Sequence, residues 1–318
     1  MDTILEIEEL EMSYQTIKGF VSAVDNVSFK IMKGESMGLV GESGCGKTSL
    51  GMCIMKLLPE NARIMNGKIL FDGEDIVPKT EEEMRKIRWK GVSMIFQAAM
   101  NALNPVYRVG DQIIEAIQTH DNISKEEARE KVEKLYELVG LSPERMKNYP
   151  HEYSGGMRQR AIIAMALACD PKFIIADEPT TALDVIVQDQ IIDEIVNLQK
   201  KLNMTMMYIS HDISVIAETC NKIGVMYAGN IVEYTYTSTL FDNPLHPYTK
   251  ALMSSFPSIE GPKKELKPVP GEPPNLLNPP EGCRFYPRCS YAEEICKKEN
   301  PEFVEIEKDH FLACHKVI

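Results

Sequence analysis

Eight consecutive residues, Gly41-Glu42-Ser43-Gly44-Cys45-Gly46-Lys47-Thr48, have the spacing of a phosphate-binding loop. The glycines at 41, 44 and 46 let the backbone turn its amides, those of Ser43 and Cys45 among them, inward around phosphate oxygens. The Lys47 ammonium reaches the β- and γ-phosphates, and the Thr48 hydroxyl is placed to ligate Mg²⁺. Lys47 and the start of the following helix are expected to favour the Cys45 thiolate. A second element is the apolar run Phe173-Ile174-Ile175-Ala176, which ends in Asp177-Glu178. Asp177 suits Mg²⁺, through water, and Glu178 suits polarising the attacking water. Alone, such a pair is the solvated end of a strand; downstream of a phosphate loop it reads as catalytic. A third is Ser154-Gly155-Gly156, which places a small polar residue and two glycines at a helix start. Alone it is a plain helix cap. The chain has a single phosphate loop, so a second anion-seeking helix end implies a second nucleotide, most simply one held by another subunit.

These groups need strands and helices in a definite order. Residues 1 to 35 read as short strands, with Val27, Phe29 and Ile31 alternating with polar residues before a Lys33-Gly34 turn. Met37–Val40 is a short apolar strand that runs straight into the glycine-rich loop. The helix after the loop is expected to continue to about Leu58, where Pro59 stops it. Asn66–Phe71 and Gly91–Phe96 are further strands. From about 98 to 168 the chain turns helical: Ser124 and Glu127 form a capping box, and a helix runs through Ala128, Val132, Leu135 and Leu138 to Gly140. A second helix starts near Gly155 and runs through Ala161–Ala168. Phe173–Ala176 and Met204–Ser210 are strands flanking a helix whose apolar face is Val187, Ile191, Ile195, Leu198 and Leu202. Strand, helix, strand in that order implies a parallel sheet.

The chain has 318 residues, 44% hydrophobic and 26% charged, which excludes collagen, coiled coil and wholesale disorder. Its longest uninterrupted apolar stretch, Ala161–Cys169, is far short of the roughly 20 residues of a membrane span. The first residues carry Asp2, Glu6, Glu8 and Glu9 and no base before Lys18, the opposite of a secretory signal, so the expectation is a cytosolic protein that docks on something membrane-bound. A net charge of −12 argues against nucleic acid as a partner. The composition shifts after about Pro244, and Pro257–Pro280 holds 8 prolines in 24 residues, an extended, semi-rigid segment. A boundary is therefore expected near residue 245, dividing 1–245 from a small module at 246–318. There is no convincing internal repeat.

With these motifs in this order, residues 1 to about 250 resemble the ATP-binding cassette (ABC) ATPases. Ser154-Gly155-Gly156 matches their signature stretch, with Tyr153 where leucine is commoner. The resemblance implies an α/β fold: a P-loop NTPase core, an N-terminal antiparallel β-subdomain, a helical subdomain at about 98–168, and a C-terminal cysteine module. It implies that Tyr14 stacks on adenine, that Gln97 senses Mg²⁺ and couples to a membrane partner, that Ala182-Leu183-Asp184 crosses a dimer interface, and that His211 contacts the γ-phosphate. Within the family, Asn101–Pro105, Asn243-Pro244-Leu245-His246-Pro247-Tyr248, the proline-rich stretch and the cysteine tail resemble dipeptide and oligopeptide importer ATPases. Ala98-Ala99 departs from the aspartate-proline usual after the glutamine. The implied function is ATP hydrolysis powering peptide import at the cytoplasmic face of the membrane. Each nucleotide would be sandwiched between one chain's phosphate loop and another's signature stretch. The implied partners are two permease subunits, a related second ATPase and, indirectly, an extracellular peptide-binding protein. The alternatives are a soluble ABC ATPase acting in DNA repair or translation, and a nickel or sugar importer subunit of the same subfamily.

Four of eight cysteines, Cys283, Cys289, Cys296 and Cys314, crowd into the tail with spacing C-x5-C-x6-C-x17-C. In a reducing compartment this reads as a metal site rather than a disulfide framework. Zinc modules use shorter C-x2-4-C pairs, whereas long gaps suit a cubane whose thiolates approach from separate corners. Some members of the resembled subfamily carry a [4Fe-4S] cluster at such cysteines. Zinc, or labile thiols without metal, are the alternatives, and a redox-sensing or docking tail is a further reading. His310 and His315 are spare ligand candidates or plain surface residues. Cys45, Cys53, Cys169 and Cys220 are expected to pack as small hydrophobes.

Overall fold

The computed structural model describes residues 2–97, 102–181, 183–255 and 269–317. They form two compact units, one of residues 1–77 with 209–318 and one of residues 78–208. Residues 1 to 35 do not break into several short strands. They make one hairpin of two 14-residue strands, β1 (Thr3–Thr16) and β2 (Gly19–Met32), in antiparallel register from Thr16↔Gly19 to Thr3↔Met32. Register shifts between Ile7 and Leu10 let the long strands continue through their own twist, and Glu9 takes a left-handed φ of 46° there. Ile4, Leu5, Ile7, Leu10 and Met12 are buried from β1. β3 (Ser36–Val40) is buried along its whole length and leads into the phosphate loop and α1 (Lys47–Met55). That helix ends before Pro59 can act, because Lys56 adopts a left-handed φ of 50° and returns its N–H to the Cys53 and Met52 carbonyls. β4 (Ala62–Phe71) and β5 (Glu74–Asp75) complete a four-stranded antiparallel sheet in the order β2-β1-β4-β5.

The second unit begins with α2 (Glu81–Ile87), which opens on a Thr80/Glu83 capping box. β6 (Val92–Ile95) is followed by α3 (Val109–His120) and by α4 (Lys125–Leu138), whose Ser124/Glu127 capping box is the one predicted. α5 (Gly155–Ala166) stops two residues short of Ala168. β7 (Phe173–Asp177) pairs parallel with β6 from Val92↔Phe173 to Ile95↔Ala176. α6 (Val185–Leu202) buries Ile191, Ile195 and Leu198 on one face, and β8 (Thr205–Ser210) carries the chain back to the first unit.

The returning chain forms α7 (Ile213–Thr219), β9 (Lys222–Tyr227), β10 (Asn230–Tyr236), α8 (Thr237–Asp242) and α9 (Pro247–Ser254). β9 lies parallel to β3 and β10 is antiparallel to β9. The tail adds α10 (Glu294–Lys298), β11 (Val304–Glu307) and β12 (His310–Leu312). β12 pairs with β10 through Glu233↔Leu312 and Tyr234↔Phe311, and β11 pairs with β12. The strand order in this unit is thus β11-β12-β10-β9-β3. Among the described residues, the composition change near residue 245 coincides with no break in packing: chain on both sides of it lies in the same unit. The reason is a set of buried polar ties invisible to composition. The fully buried Glu233 carboxylate accepts the Leu245 N–H (2.9 Å), the His246 N–H (2.9 Å) and a bond with His310 Nε2 (3.0 Å). Arg284 pairs with Asp25 at 2.6 Å and donates to the Ala228 carbonyl. His310 is therefore a buried anchor, neither a surface residue nor a spare ligand. No described helix is long and apolar enough to cross a membrane.

Candidate nucleotide site

The phosphate loop is packed from behind and open in front. A Cβ at Gly41 (φ +155°) would stand 2.1 Å from the Met226 carbonyl oxygen, and one at Gly46 (φ +107°) 2.0 Å from that of Ala23, so both positions exclude any side chain. At Gly44 (φ +79°) a Cβ would meet nothing within 4 Å. Ser43, Gly44 and Thr48 are exposed, whereas Cys45 and Lys47 are buried. α1 has no acidic residue in its first turn and Gly46 gives it no side-chain cap, so its N-terminus is left for an anion. The Lys47 ammonium donates to the carbonyls of Gly41 (2.7 Å) and Glu42 (3.1 Å), which ties the loop to itself. The fit to a triphosphate is good: amides at a helix start, a lysine already in the loop and an exposed hydroxyl at Thr48. Tyr14, on β1, shares a 3.0 Å hydrogen bond with Ser49 Oγ in the first turn of α1, which keeps the aromatic ring beside the loop.

Cys45 behaves otherwise than its sequence neighbours suggest. Its thiol is 4% exposed, and burial pushes its pKa up despite the opposing effect of Lys47. Desolvation of a thiolate outweighs one nearby ammonium, so the thiol stays protonated.

In the second unit, β7 ends on Asp177, which is 1% exposed, and Glu178 follows with a left-handed φ of 46°. Glu178 Oε2 accepts hydrogen bonds from Gln97 Nε2 (2.7 Å) and from Thr181 Oγ1 (3.0 Å). The glutamine expected at Mg²⁺ is therefore engaged with the carboxylate, an arrangement that orients Glu178. Ser154 caps α5 by accepting the Met157 N–H (3.3 Å), and it is exposed. Gly155 and Gly156 follow half-buried. A Cβ at Gly156 would stand 2.9 Å from Val187 of α6. Tyr153 is buried, and its hydroxyl donates to the Arg145 carbonyl (2.6 Å) and meets Tyr136 Oη (3.1 Å); tyrosine thus fills a leucine's place with its polar end satisfied. Asp184 caps α6 through the Val187 N–H (3.0 Å) and is exposed. His211 stands exposed directly after β8. Ala182, the Ala98-Ala99 departure, Asn101 and the proline-rich residues 256–268 lie outside the described residues.

A family profile described as "ABC transporter" matches residues 24–181, and one described as "Oligopeptide/dipeptide transporter, C-terminal region" matches residues 232–296. The chain is 43% identical over 317 residues to the dipeptide transport ATP-binding protein DppD of Caldanaerobacter subterraneus, covering 99% of this chain and 97% of the relative. It is 46% identical over 313 residues to the oligopeptide transport ATP-binding protein OppD of Bacillus subtilis, covering 97% and 87%. A dimeric ATP-binding cassette solved in a post-hydrolysis state with ADP and Pi superposes with a TM-score of 0.66 at 25% identity, over 73% of this chain and 98% of that one. The chain belongs to the ABC transporter ATP-binding proteins of the oligopeptide/dipeptide family.

The sequence motifs of this ABC ATPase leave out one set of residues around its phosphate loop. Glu42, a variable position of the motif, is bound by two residues of the C-terminal region. Arg288 grips its carboxylate with both nitrogens (2.6 and 2.9 Å), and the Tyr248 hydroxyl accepts the Glu42 N–H (3.0 Å). Tyr248 belongs to the His246-Pro247-Tyr248 triplet, which was legible as a family mark but not as a contact. Arg288 had no signal beyond its place between two tail cysteines.

The four tail cysteines of the ABC ATPase come to one place. Cys283, Cys289, Cys296 and Cys314 line a small cavity of about 20 Å³ with Phe285, Tyr286, Tyr291 and His315. All four thiols are free and half-buried. Burial pushes the Cys283 thiol up to about 11, and it raises Cys289 and Cys314 as well, with neighbouring cysteines adding to each. Among the described residues, no three His, Cys, Asp or Glu side chains are gathered into a set that could hold a metal ion. Cys45, Cys53, Cys169 and Cys220 are buried, as small hydrophobes are.

Proposed function

We propose that this ABC ATPase hydrolyses ATP on the cytoplasmic face of a membrane and that the hydrolysis powers import of dipeptides or oligopeptides. The observation that carries the reading is the joint presence, in one chain, of a built phosphate loop and full-length similarity to dipeptide and oligopeptide transport ATP-binding proteins. Its partners are two permease subunits, a related second ATPase subunit and, through the permeases, an extracellular peptide-binding protein. Gly41–Thr48 bind the phosphates, Tyr14 takes the adenine, and Lys47 moves from its loop carbonyls to the β- and γ-phosphates. Thr48, Asp177, through water, and Gln97 would hold Mg²⁺, which would supply neutralisation of phosphate charge. Glu178, oriented by Gln97 and Thr181, takes the proton of the attacking water, and His211 meets the γ-phosphate. Ser154, Gly155, Gly156 and Asp184 serve the nucleotide of the partner ATPase. Purification of the tagged chain from its own membranes, with identification of co-purifying subunits, tests the reading. A peptide permease pair is the expected result; nickel-transport permeases, or no membrane partner at all, would overturn it.

We further propose that Cys283, Cys289, Cys296 and Cys314 hold a [4Fe-4S] cluster. Their convergence on one cavity and their long spacing, C-x5-C-x6-C-x17-C, support four thiolate corners. A cluster would supply a covalent core to a tail poor in apolar residues. Protein prepared without oxygen should carry about four irons per chain, as a four-thiolate cubane implies; one zinc per chain, or none of either, would refute it.

A further inference from the structure

Glu42 is held from three sides. Its carbonyl accepts from Lys47 Nζ (3.1 Å) and from the Cys45 N–H (3.2 Å), its N–H donates to Tyr248 Oη (3.0 Å), and its carboxylate is gripped by Arg288 (2.6 and 2.9 Å). The last two ties come from the C-terminal region. Tyr248 is fully buried, and its ring packs on Tyr227 (4.6 Å between centroids) and on Phe285 (5.4 Å). Phe285 and Arg288 sit on the short turn between Cys283 and Cys289. The Arg288 guanidinium is spent entirely on fixed partners. It also donates to the carbonyls of Pro270 (2.6 Å) and Val269 (3.4 Å) and to Tyr227 Oη (3.3 Å). The turn after β9 joins in: the Gly229 N–H donates to the Cys45 carbonyl (2.8 Å), and Arg284 donates to the Ala228 carbonyl beside it.

The Lys47 ammonium has three donors, and two of them are on the Gly41 and Glu42 carbonyls, so a phosphate draws on the same group that ties the loop. When its ammonium turns toward nucleotide, the Lys47 tie to Glu42 weakens, and beside the loop's own Cys45 N–H (3.2 Å) the ties that remain, Tyr248 and Arg288, belong to the tail. We propose that Arg288 and Tyr248 are positioning residues for ATP: they fix Glu42, and through it keep the phosphate loop in its open-cradle shape as Lys47 engages phosphate. The C-terminal segment is then a working part of the nucleotide site. The proposal rests on the ATPase reading above and adds a role for residues that the nucleotide does not touch.

The test uses the full-length chain in its transporter complex, with Arg288→Gln, Glu42→Gln, the double variant and Tyr248→Phe. Fluorescent-ATP affinity, KM, kcat and the thermal midpoint are measured for each. A charge-assisted bidentate pair is worth enough to predict about a tenfold rise in Kd and KM for either single variant. The loss should fall on KM rather than kcat, because an approach geometry for the ground state is what is lost. The double variant should be no worse than either single one, since both remove the same tie. Tyr248→Phe removes one hydroxyl and leaves the packed ring, so it folds even if Arg288→Gln does not, and it should also raise Kd. A lowered thermal midpoint with unchanged Kd and KM would make the contacts mere mortar and overturn the proposal, as would additive effects in the double variant. Wild-type protein that binds no ATP would instead unseat the ATPase reading itself.

Discussion

His246 offers a quantitative test of how the tail is held. It caps α9, its Nδ1 accepting the Tyr248 N–H at 3.0 Å, while the imidazole also bonds the Ala313 backbone. The ring is buried, and burial, with Lys250 adding to it, pushes its pKa down to about 3. The folded-state value thus lies below the unfolded one of about 6.5, so between these two limits the unfolded chain binds more protons. Stability from this group is complete above pH 6.5 and is lost as the pH falls toward 3. Between pH 7.5 and 5 the linkage integral amounts to roughly 2 kcal/mol. His246→Asn removes the titration and keeps a capping acceptor. Titrating groups common to both proteins cancel in the comparison. Thermal unfolding at pH 7.5 and 5 should therefore lower the wild-type midpoint by about 4 °C more than that of the variant, at roughly 2 °C per kcal/mol for a chain of this size. Equal pH dependence in the two proteins would refute the claim that His246 is buried neutral.

Glu178→Gln should keep ATP binding and reduce turnover at least about 100-fold, because an amide cannot take a proton from water; ATP should then trap a closed dimer visible by gel filtration, and normal hydrolysis would remove Glu178 from its role. Gly46→Ala should abolish binding of a fluorescent ATP analogue, since its methyl group would fall 2.0 Å from the Ala23 carbonyl oxygen at a φ of +107°; retained affinity would mean that the loop can shift. Cys45 should react with a thiol reagent far more slowly in the folded protein than in the same protein unfolded in denaturant at pH 7.5, as a buried thiol of raised pKa does, and rapid modification of folded protein mapped to Cys45 by mass spectrometry would contradict its burial.

Periodicity and local punctuation made much of this fold readable. The Ser124/Glu127 box and the strand into the phosphate loop both follow from signals within a few residues of each other. The errors came where distant partners decide. The alternation at Val27, Phe29 and Ile31 suggested several short strands over residues 1 to 35, but register shifts around Glu9 keep β1 continuous. Lys47 two residues from Cys45 suggested a reactive thiol, yet the packing of the whole loop sets the larger effect. The tail looked separate because it is rich in proline and poor in apolar residues, and composition does not register a few buried ions such as Glu233, Arg284 and Arg288. The site motifs were legible because phosphate chemistry restricts residue types at fixed spacing. Arg288 was not, because an ion pair 246 residues apart leaves no local trace.

The pairing of β12 with β10 also bears on solubility. β10 is buried through Ile231–Thr235, and without its neighbour it would present a row of free N–H and C=O groups on a strongly apolar strand. Such an edge invites pairing with the same strand of another molecule. In the full chain that edge is handed outward to β11, only four residues long, with Glu305 and Glu307 exposed along it. A short, acidic last strand repels a copy of itself. A cassette trimmed at residue 245 would lose this guard and should aggregate, even with its phosphate loop intact.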